Sequence, residues 1–362
     1  MNYLIHLENV PVYKPGKPID EVKRKLGLEE VIKLASNENP FGCSLFVKKA
    51  IERESLNINR YPDGGAFYLR KELSKFLAVD EDEIVFGNGS NEVLDMIARA
   101  FLKKGNEVLI FQYSFIVYKI ISLIQGATIK EVPVENDFSR NLNKLLENIS
   151  SKTKIIFIDN PCNPTGVANL KDEFDNFIIN LPEDILLVID EAYFEYAKPH
   201  GVPNGINYVK PINPKIPKKN IIITRTFSKV YGLAGLRIGY GIADKEIIKI
   251  LEKVRQPFNT NHLSQIGAIQ AIKDQKFVEY SVSQNEIGKE YLYEELEKLN
   301  IHFIPSFANF IMFKSPVNNL YTELLKKGIA IRPAFGIDGY YRVSIGTMEE
   351  NKKFINTLRE II

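Results

Sequence analysis

The chain reads as an α/β protein: a large domain with a mostly parallel central sheet flanked by helices, joined to a smaller α+β domain. Three observations predict this. Short β-branched runs recur between longer amphipathic segments of helix length. Those runs are apolar throughout rather than alternating, as strands covered on both faces are. After about residue 258 the pattern changes to long helical stretches around isolated strand candidates. At 362 residues and 45% apolar content the chain can bury a large core and divide in two. The expected division is an N-terminal arm with a small-domain contribution (1–34), a large α/β domain (35–258) and a small C-terminal α+β domain (259–362).

The elements follow in order. "GNGSNEVLDMIARAF" (87–101) is a glycine turn opening an amphipathic helix, with Ser90 and Asn91 as capping side chains. The strand candidates are "NEVLIFQ" (106–112), "ATIKEVPV" (127–134), "TKIIFIDNP" (153–161), "DILLVIDEAY" (184–193), "NIIITRTF" (220–227) and "LRIGYGIA" (236–243). Between two of these, "KPINPKIPKKN" (210–220) is a proline-rich, solvated loop rather than a basic binding patch. Beyond 258, "SQIGAIQAIKDQKFVEYSVSQNEIGKEYLYEELEKL" and "LYTELLKKG" read as helices around the strand candidates "ANFIMFK" and "YYRVSIG".

Composition excludes several function classes. A net charge of +2 makes no electrostatic case for nucleic acid or an anionic membrane. Cys43 and Cys162 form neither a disulfide framework nor a zinc pattern, and the four histidines add no ligand spacing, so no metal is expected. The N-terminal stretch lacks a basic start followed by a long apolar core, and no apolar run approaches membrane-spanning length. A soluble, cytoplasmic protein is expected.

Open α/β sheets bind ligands beyond the carboxyl ends of their strands. The polar residues there are "NPCNPTG" (160–166), "DEAY" (190–193) and "TFSK" (226–229), with "GNGSNE" (87–92) beside them. Lys229 precedes a segment in which Gly232, Gly235, Gly239 and Gly241 alternate with apolar residues, a pattern of close backbone packing or approach to a ligand. Such surroundings desolvate an ammonium and lower its pKa, although a surface lysine on a loop is the competing reading. Asp190 ends an apolar strand, so its carboxylate needs a cationic or donor partner, which an ordinary salt bridge could also supply. The helix N-terminus at Gly89, Ser90 and Asn91 offers free N–H groups to an anion, with Arg237 as a bidentate partner. Amine, carboxylate and anion cradle at one sheet edge match pyridoxal 5'-phosphate, whose aldehyde, ring nitrogen and phosphate need those three groups.

With these motifs in view, the sequence resembles the fold-type-I aminotransferases and, within them, the histidinol-phosphate aminotransferase family. The likeness runs through "KLASNENPFG", "RYPDGG", "GNGSNEVLD", "NPCNPTG", "DEAYFEY", "RTFSKVYGLAGLRIGYGIAD", "VRQPFNTN", "ANFIMF" and "RVSIGT". It implies that Lys229 is the Schiff-base lysine and proton carrier, that Asp190 pairs with the pyridinium nitrogen, and that Tyr193 and Asn163 donate to the ring's phenolic oxygen. It implies a phosphate held by the Ser90 and Asn91 region, Thr226, Ser228 and Arg237, and a ring stacked on Phe115. Tyr61 would reach the phosphate from a neighbouring subunit, which implies a homodimer with shared sites. Arg342, helped by Arg332, would bind the acidic end of the substrate, and Tyr13 and Asn37 would complete the substrate site. The implied reaction is transamination of L-histidinol phosphate with 2-oxoglutarate to imidazole acetol phosphate and L-glutamate. Threonine-phosphate decarboxylation and aromatic amino acid transamination use the same scaffold and remain alternatives. A ligand-sensing regulator is more distant, because it wants an appended helix-turn-helix domain and needs no complete catalytic set.

Overall fold

A computed structural model of the chain describes residues 4–12 and 19–362. Its strands are β1 (Ile32–Lys33), β2 (Ile84–Gly87), β3 (Glu107–Phe111), β4 (Thr128–Val132), β5 (Thr153–Asp159), β6 (Leu186–Asp190), β7 (Asn220–Thr226), β8 (Gly239–Ala243), β9 (Phe303–Ile304), β10 (Phe310–Lys314), β11 (Ile329–Ala330), β12 (Arg332–Pro333) and β13 (Tyr340–Ser344). The helices are α1 (Ile19–Leu26), α2 (Leu45–Glu54), α3 (Phe67–Leu77), α4 (Ser90–Phe101), α5 (Val117–Ile124), α6 (Leu142–Glu147), α7 (Lys171–Asn180), α8 (Phe194–Ala197), α9 (Ile206–Val209), α10 (Lys245–Val254), α11 (His262–Lys273), α12 (Gln275–Lys298), α13 (Leu320–Lys326) and α14 (Met348–Ile361).

Seven strands form the large sheet in the order β2-β8-β7-β6-β5-β3-β4. Neighbours from β7 to β4 pair in parallel, and β8 runs antiparallel to β7 and β2, so the sheet is mostly parallel as expected. The unbroken apolar runs have a direct cause. Ile156, Ile158, Leu187, Ile189 and Ile223 enter one core with α3, α6, α7 and α11. Ile155, Phe157, Leu186, Val188 and Ile222, at alternate positions, enter a second core with α4, α5 and α10. Successive side chains point to opposite faces, and here both faces are covered.

A four-stranded antiparallel sheet, β12-β13-β10-β9, and the parallel pair β1-β11 make up the rest. Ile32 and Leu34 of the N-terminal segment share a third core with Leu324, Ile329, Val343 and Phe354. The long helical stretch 264–299 is two helices rather than one. Asp274 ends α11 and caps α12, its carboxylate accepting from Phe277 N at 3.3 Å and from the Ser44 hydroxyl at 2.5 Å. Residues Ala268, Ile269 and Ile272 of α11 and Val278 of α12 pack in the sheet's core. Leu292 and Leu296, farther along α12, pack in the third. Among the described residues no helix is long and apolar enough to cross a membrane.

Candidate active site

A pocket of about 680 Å³ opens at the carboxyl ends of β5, β6 and β7, between the large sheet and the small one. Lys229 stands in its wall because β7 ends at Thr226 and the chain turns at once, with Leu233 N donating back to Phe227 O. The ammonium donates to Ser36 O at 3.2 Å and sits 5.6 Å above the Tyr193 ring. Burial lowers its pKa to about 8, with the Arg342 and Arg237 charges adding to the effect and Glu38 and Asp190 opposing it. The amine is therefore held close to its neutral, nucleophilic form.

Asp190 is 4% exposed, and its Oδ1 makes no hydrogen bond of ordinary geometry among the described residues, although Thr224 and the Ala192 N–H lie near enough to favour its charge. Oδ2 accepts from the Tyr118 hydroxyl at 2.8 Å. Burial pushes this carboxyl up to about 6; the Tyr118 hydrogen bond opposes the rise and the Asp159 charge adds to it. A buried carboxylate with one idle oxygen in a pocket wall asks for a cationic donor.

The anion cradle is built by close approach. Gly239 in β8 lets the N-terminus of α4 lie against the strand, because a Cβ there would fall 2.3 Å from Ser90 N. Gly89, at φ +79°, abuts the Arg237 guanidinium, so that any side chain at 89 would displace it. Arg237 itself holds φ +58°, a strained setting for a non-glycine residue. Its Nη1 donates to Ser228 Oγ at 3.3 Å, and the Thr226 hydroxyl donates to the same oxygen at 2.9 Å. Ser90, Asn91, Thr226, Ser228 and Arg237 all line the pocket. The N-terminus of α4, three hydroxyls and a guanidinium thus face one space.

Opposite lies a polar wall. Tyr193 OH accepts from Asn37 Nδ2 at 2.9 Å, and burial pushes its pKa up to about 12. Asn37 is itself pinned: its N donates to Ser344 Oγ at 2.8 Å and its Oδ1 accepts from that hydroxyl at 3.1 Å. Arg342 Nη1 donates to Asn163 Oδ1 and Nη2 to Ala35 O at 2.8 Å. Arg332 and Arg342 are direct cross-strand partners on β12 and β13, and both line the pocket. Like charges directly opposite repel, so this pairing suits an anion between or beside them. Phe115 lines the pocket and meets Tyr118 edge-on at 5.8 Å.

The structure thus brings together Lys229, Asp190, Tyr193, Ser90, Asn91, Phe115, Asn163, Thr226, Ser228, Arg237, Asn37, Arg332 and Arg342, with Gly89 just behind the cradle. Tyr61 is apart from them, 85% exposed and stacked on Phe258 at 4.9 Å. Tyr13 lies outside the described residues. Sequence reasoning missed Tyr118, in the first turn of α5 and three residues beyond Phe115, and the carboxylate Asp159. It also missed the buried pair Glu191–Arg225 (Oε2 to Nη2, 2.7 Å), each residue adjacent in sequence to one that lines the pocket. Glu191 Oε1 also accepts from Gly205 N at 2.7 Å, tying the ends of β6 and β7 to the chain before α9.

These residues fit pyridoxal phosphate: an amine of lowered pKa, a carboxylate oxygen without a partner, and an anion cradle that a Cβ at Gly89 would obstruct. A family model described as aminotransferase class I and II matches residues 29–358. A histidinol-phosphate aminotransferase of Brevibacillus brevis is 43% identical over 98% of this chain and 96% of its own length. The crystal structure of the histidinol-phosphate aminotransferase from Clostridium acetobutylicum superposes with a TM-score of 0.83 at 26% identity, covering 91% of this chain and 99% of its own. That of Sinorhizobium meliloti, solved in complex with pyridoxal-5'-phosphate, gives 0.89 at 24% identity over 99% and 98%, a likeness of fold. The chain belongs to the class I and II aminotransferase family, grouped with the histidinol-phosphate aminotransferases.

Proposed function

We propose that this chain catalyses pyridoxal-phosphate-dependent transamination of L-histidinol phosphate with 2-oxoglutarate, giving imidazole acetol phosphate and L-glutamate, as a cytoplasmic enzyme of histidine biosynthesis. The observation that carries this reading is the meeting of the Lys229 amine, the idle Asp190 oxygen and the α4 cradle around one pocket that two arginines also enter. When bound, the cofactor supplies an aldehyde that carries the amino group and a ring that accepts electron density. Lys229 Nζ would hold the aldehyde at rest and would move the proton at the substrate's reacting carbon. Asp190 Oδ1 would accept from the ring nitrogen and favour its protonated form. Asn163 Nδ2 and the Tyr193 hydroxyl would donate to the ring's phenolic oxygen, with Asn37 fixing the tyrosine. Ser90, Asn91, Thr226, Ser228 and Arg237 would bind the phosphate, and Phe115 would cover the ring face.

Arg342 and Arg332 bind the substrate's anionic end, a phosphate ester in one half-reaction and a carboxylate in the other; a guanidinium suits both. Tyr61 acts from a second copy of the chain. Its own pocket does not contain it, and the chain around it exposes Leu56, Ile58, Phe67 and Tyr68, which favours a homodimer. A coupled assay with histidinol phosphate and 2-oxoglutarate, run beside threonine phosphate and phenylalanine as competing substrates, tests the reading. Turnover of histidinol phosphate well above both is expected, and decarboxylation of threonine phosphate as the main activity would overturn it.

A further inference from the structure

Asp159 and Asp190 end neighbouring parallel strands and are direct register partners, so two carboxylates stand side by side at the pocket floor. They are treated differently. Asp159 is buried with a counter-charge: Arg140 Nη1 donates to its Oδ1 at 2.9 Å and Nη2 to its main-chain O at 2.6 Å. The side chains of this pair are 1% and 5% exposed, so water screens neither. Arg140 is fixed in turn, its carbonyl accepting from Asn169 Nδ2 at 2.6 Å. The other oxygen, Asp159 Oδ2, accepts two main-chain N–H groups, from Phe115 at 3.3 Å and from Asn163 at 3.0 Å. Those residues belong to different segments, and both line the pocket. Asn163 in turn accepts from Arg342.

A buried ion pair is weak evidence for stability, since well-packed apolar residues of similar volume commonly do as well. What apolar residues could not do is accept the N–H groups of Phe115 and Asn163. From this geometry we infer that Asp159, with Arg140 as its counter-charge, is a positioning residue that sets the distance between the Phe115 and Asn163 walls before the cofactor arrives. The inference rests on the proposed pyridoxal-phosphate chemistry for its consequence, but its geometric content concerns the empty-handed protein as well.

Two measurements test it. Hydrogen exchange of wild-type apoprotein, followed by mass spectrometry on peptides spanning 113–118 and 160–166, should show the Phe115 and Asn163 amides protected equally with and without pyridoxal phosphate. Free exchange in the apoprotein, with protection only after the cofactor is added, would overturn preorganisation. The second uses the double variant Asp159→Val/Arg140→Leu, which removes both charges together. It should still unfold cooperatively in urea, at a midpoint lowered by the two main-chain N–H groups left without an acceptor, whereas its dissociation constant for pyridoxal phosphate should rise about tenfold, the scale of one or two lost hydrogen bonds. The visible circular dichroism per bound cofactor should fall as the ring loses its fixed slot. A folded double variant with wild-type affinity and circular dichroism would sink the inference. If it does not fold, the exchange measurement alone decides. Failure of wild type to bind pyridoxal phosphate at all would instead refute the proposed function, and the exchange result on the apoprotein would still stand or fall by itself.

Discussion

Replacing Asp190 by Asn removes a charge that the folded apoprotein holds at a cost. Burial raises the carboxyl from 3.8 to about 6. At about 1.4 kcal/mol per pKa unit, ionised Asp190 costs the apoprotein about 3 kcal/mol. The folded pKa is raised, so the folded state binds the proton more tightly. This group's contribution is therefore most favourable below the unfolded value and is lost as pH rises through about 6. On the order of 1 kcal/mol of that loss falls between about pH 5 and about pH 7.5. Urea unfolding of wild-type and Asp190→Asn apoprotein at those two pH values isolates it, because the other consequences of the amide are independent of pH and cancel. Wild type should lose about 1 kcal/mol relative to the variant over the interval. Parallel profiles would refute the claim that Asp190 is a buried carboxylate awaiting a cation. With the cofactor present the effect on function has the opposite sign: the variant should still capture pyridoxal phosphate on Lys229 but turn over roughly 10- to 150-fold more slowly, the worth of a hydrogen bond to a charged group.

Lys229, lowered to about 8, should capture pyridoxal phosphate at a rate that rises with pH through about 8 and then levels, since only the neutral amine is a nucleophile; a rise continuing toward the ordinary lysine range would contradict this. Lys229→Ala should leave cofactor binding through the cradle in place and cut turnover by about 100- to 10,000-fold, the range for a lost general acid–base. Arg342→Ala should damage both half-reactions, each lost charged hydrogen bond costing roughly 1.5–3 kcal/mol, and Arg332→Ala should hurt histidinol phosphate more than glutamate, as kcat/KM for the two substrates will report. Mixing Lys229→Ala subunits with Tyr61→Phe subunits should restore wild-type cofactor affinity at half the sites of each hybrid dimer, because a hybrid has one site with both defects and one with neither; no intact site on mixing would count against sharing across a dimer.

Much of this architecture was legible because its physical causes are local. Apolar runs without alternation reported strands buried on both faces, and Ile155 to Ile158 and Leu186 to Ile189 divide between two cores as that pattern requires. The close approach of the α4 N-terminus to β8 was legible because it needs glycine, at Gly89 and Gly239. What escaped notice is of two kinds. The strand "IVFG" of β2 is only four residues long, too short for a periodicity to register, and α14 was passed over although Thr347 and Glu350 form a capping box at its start. The break at Asp274 was hidden because an aspartate is compatible with a helical surface until its side chain turns back to cap. The second kind is tertiary. Nothing local in "TKIIFID" says that Asp159 meets Arg140 and not a ligand, or that the Tyr118 hydroxyl reaches Asp190. Such partners are chosen by strand register and helix placement, which the fold alone decides.

The central claim is that the Lys229 amine holds the cofactor's aldehyde. Reducing the holoprotein with borohydride, digesting it and locating the phosphopyridoxyl group by mass spectrometry tests this most directly. The group should be found on Lys229, in the peptide that begins after Arg225; its appearance on another lysine, or on none, would contradict the account.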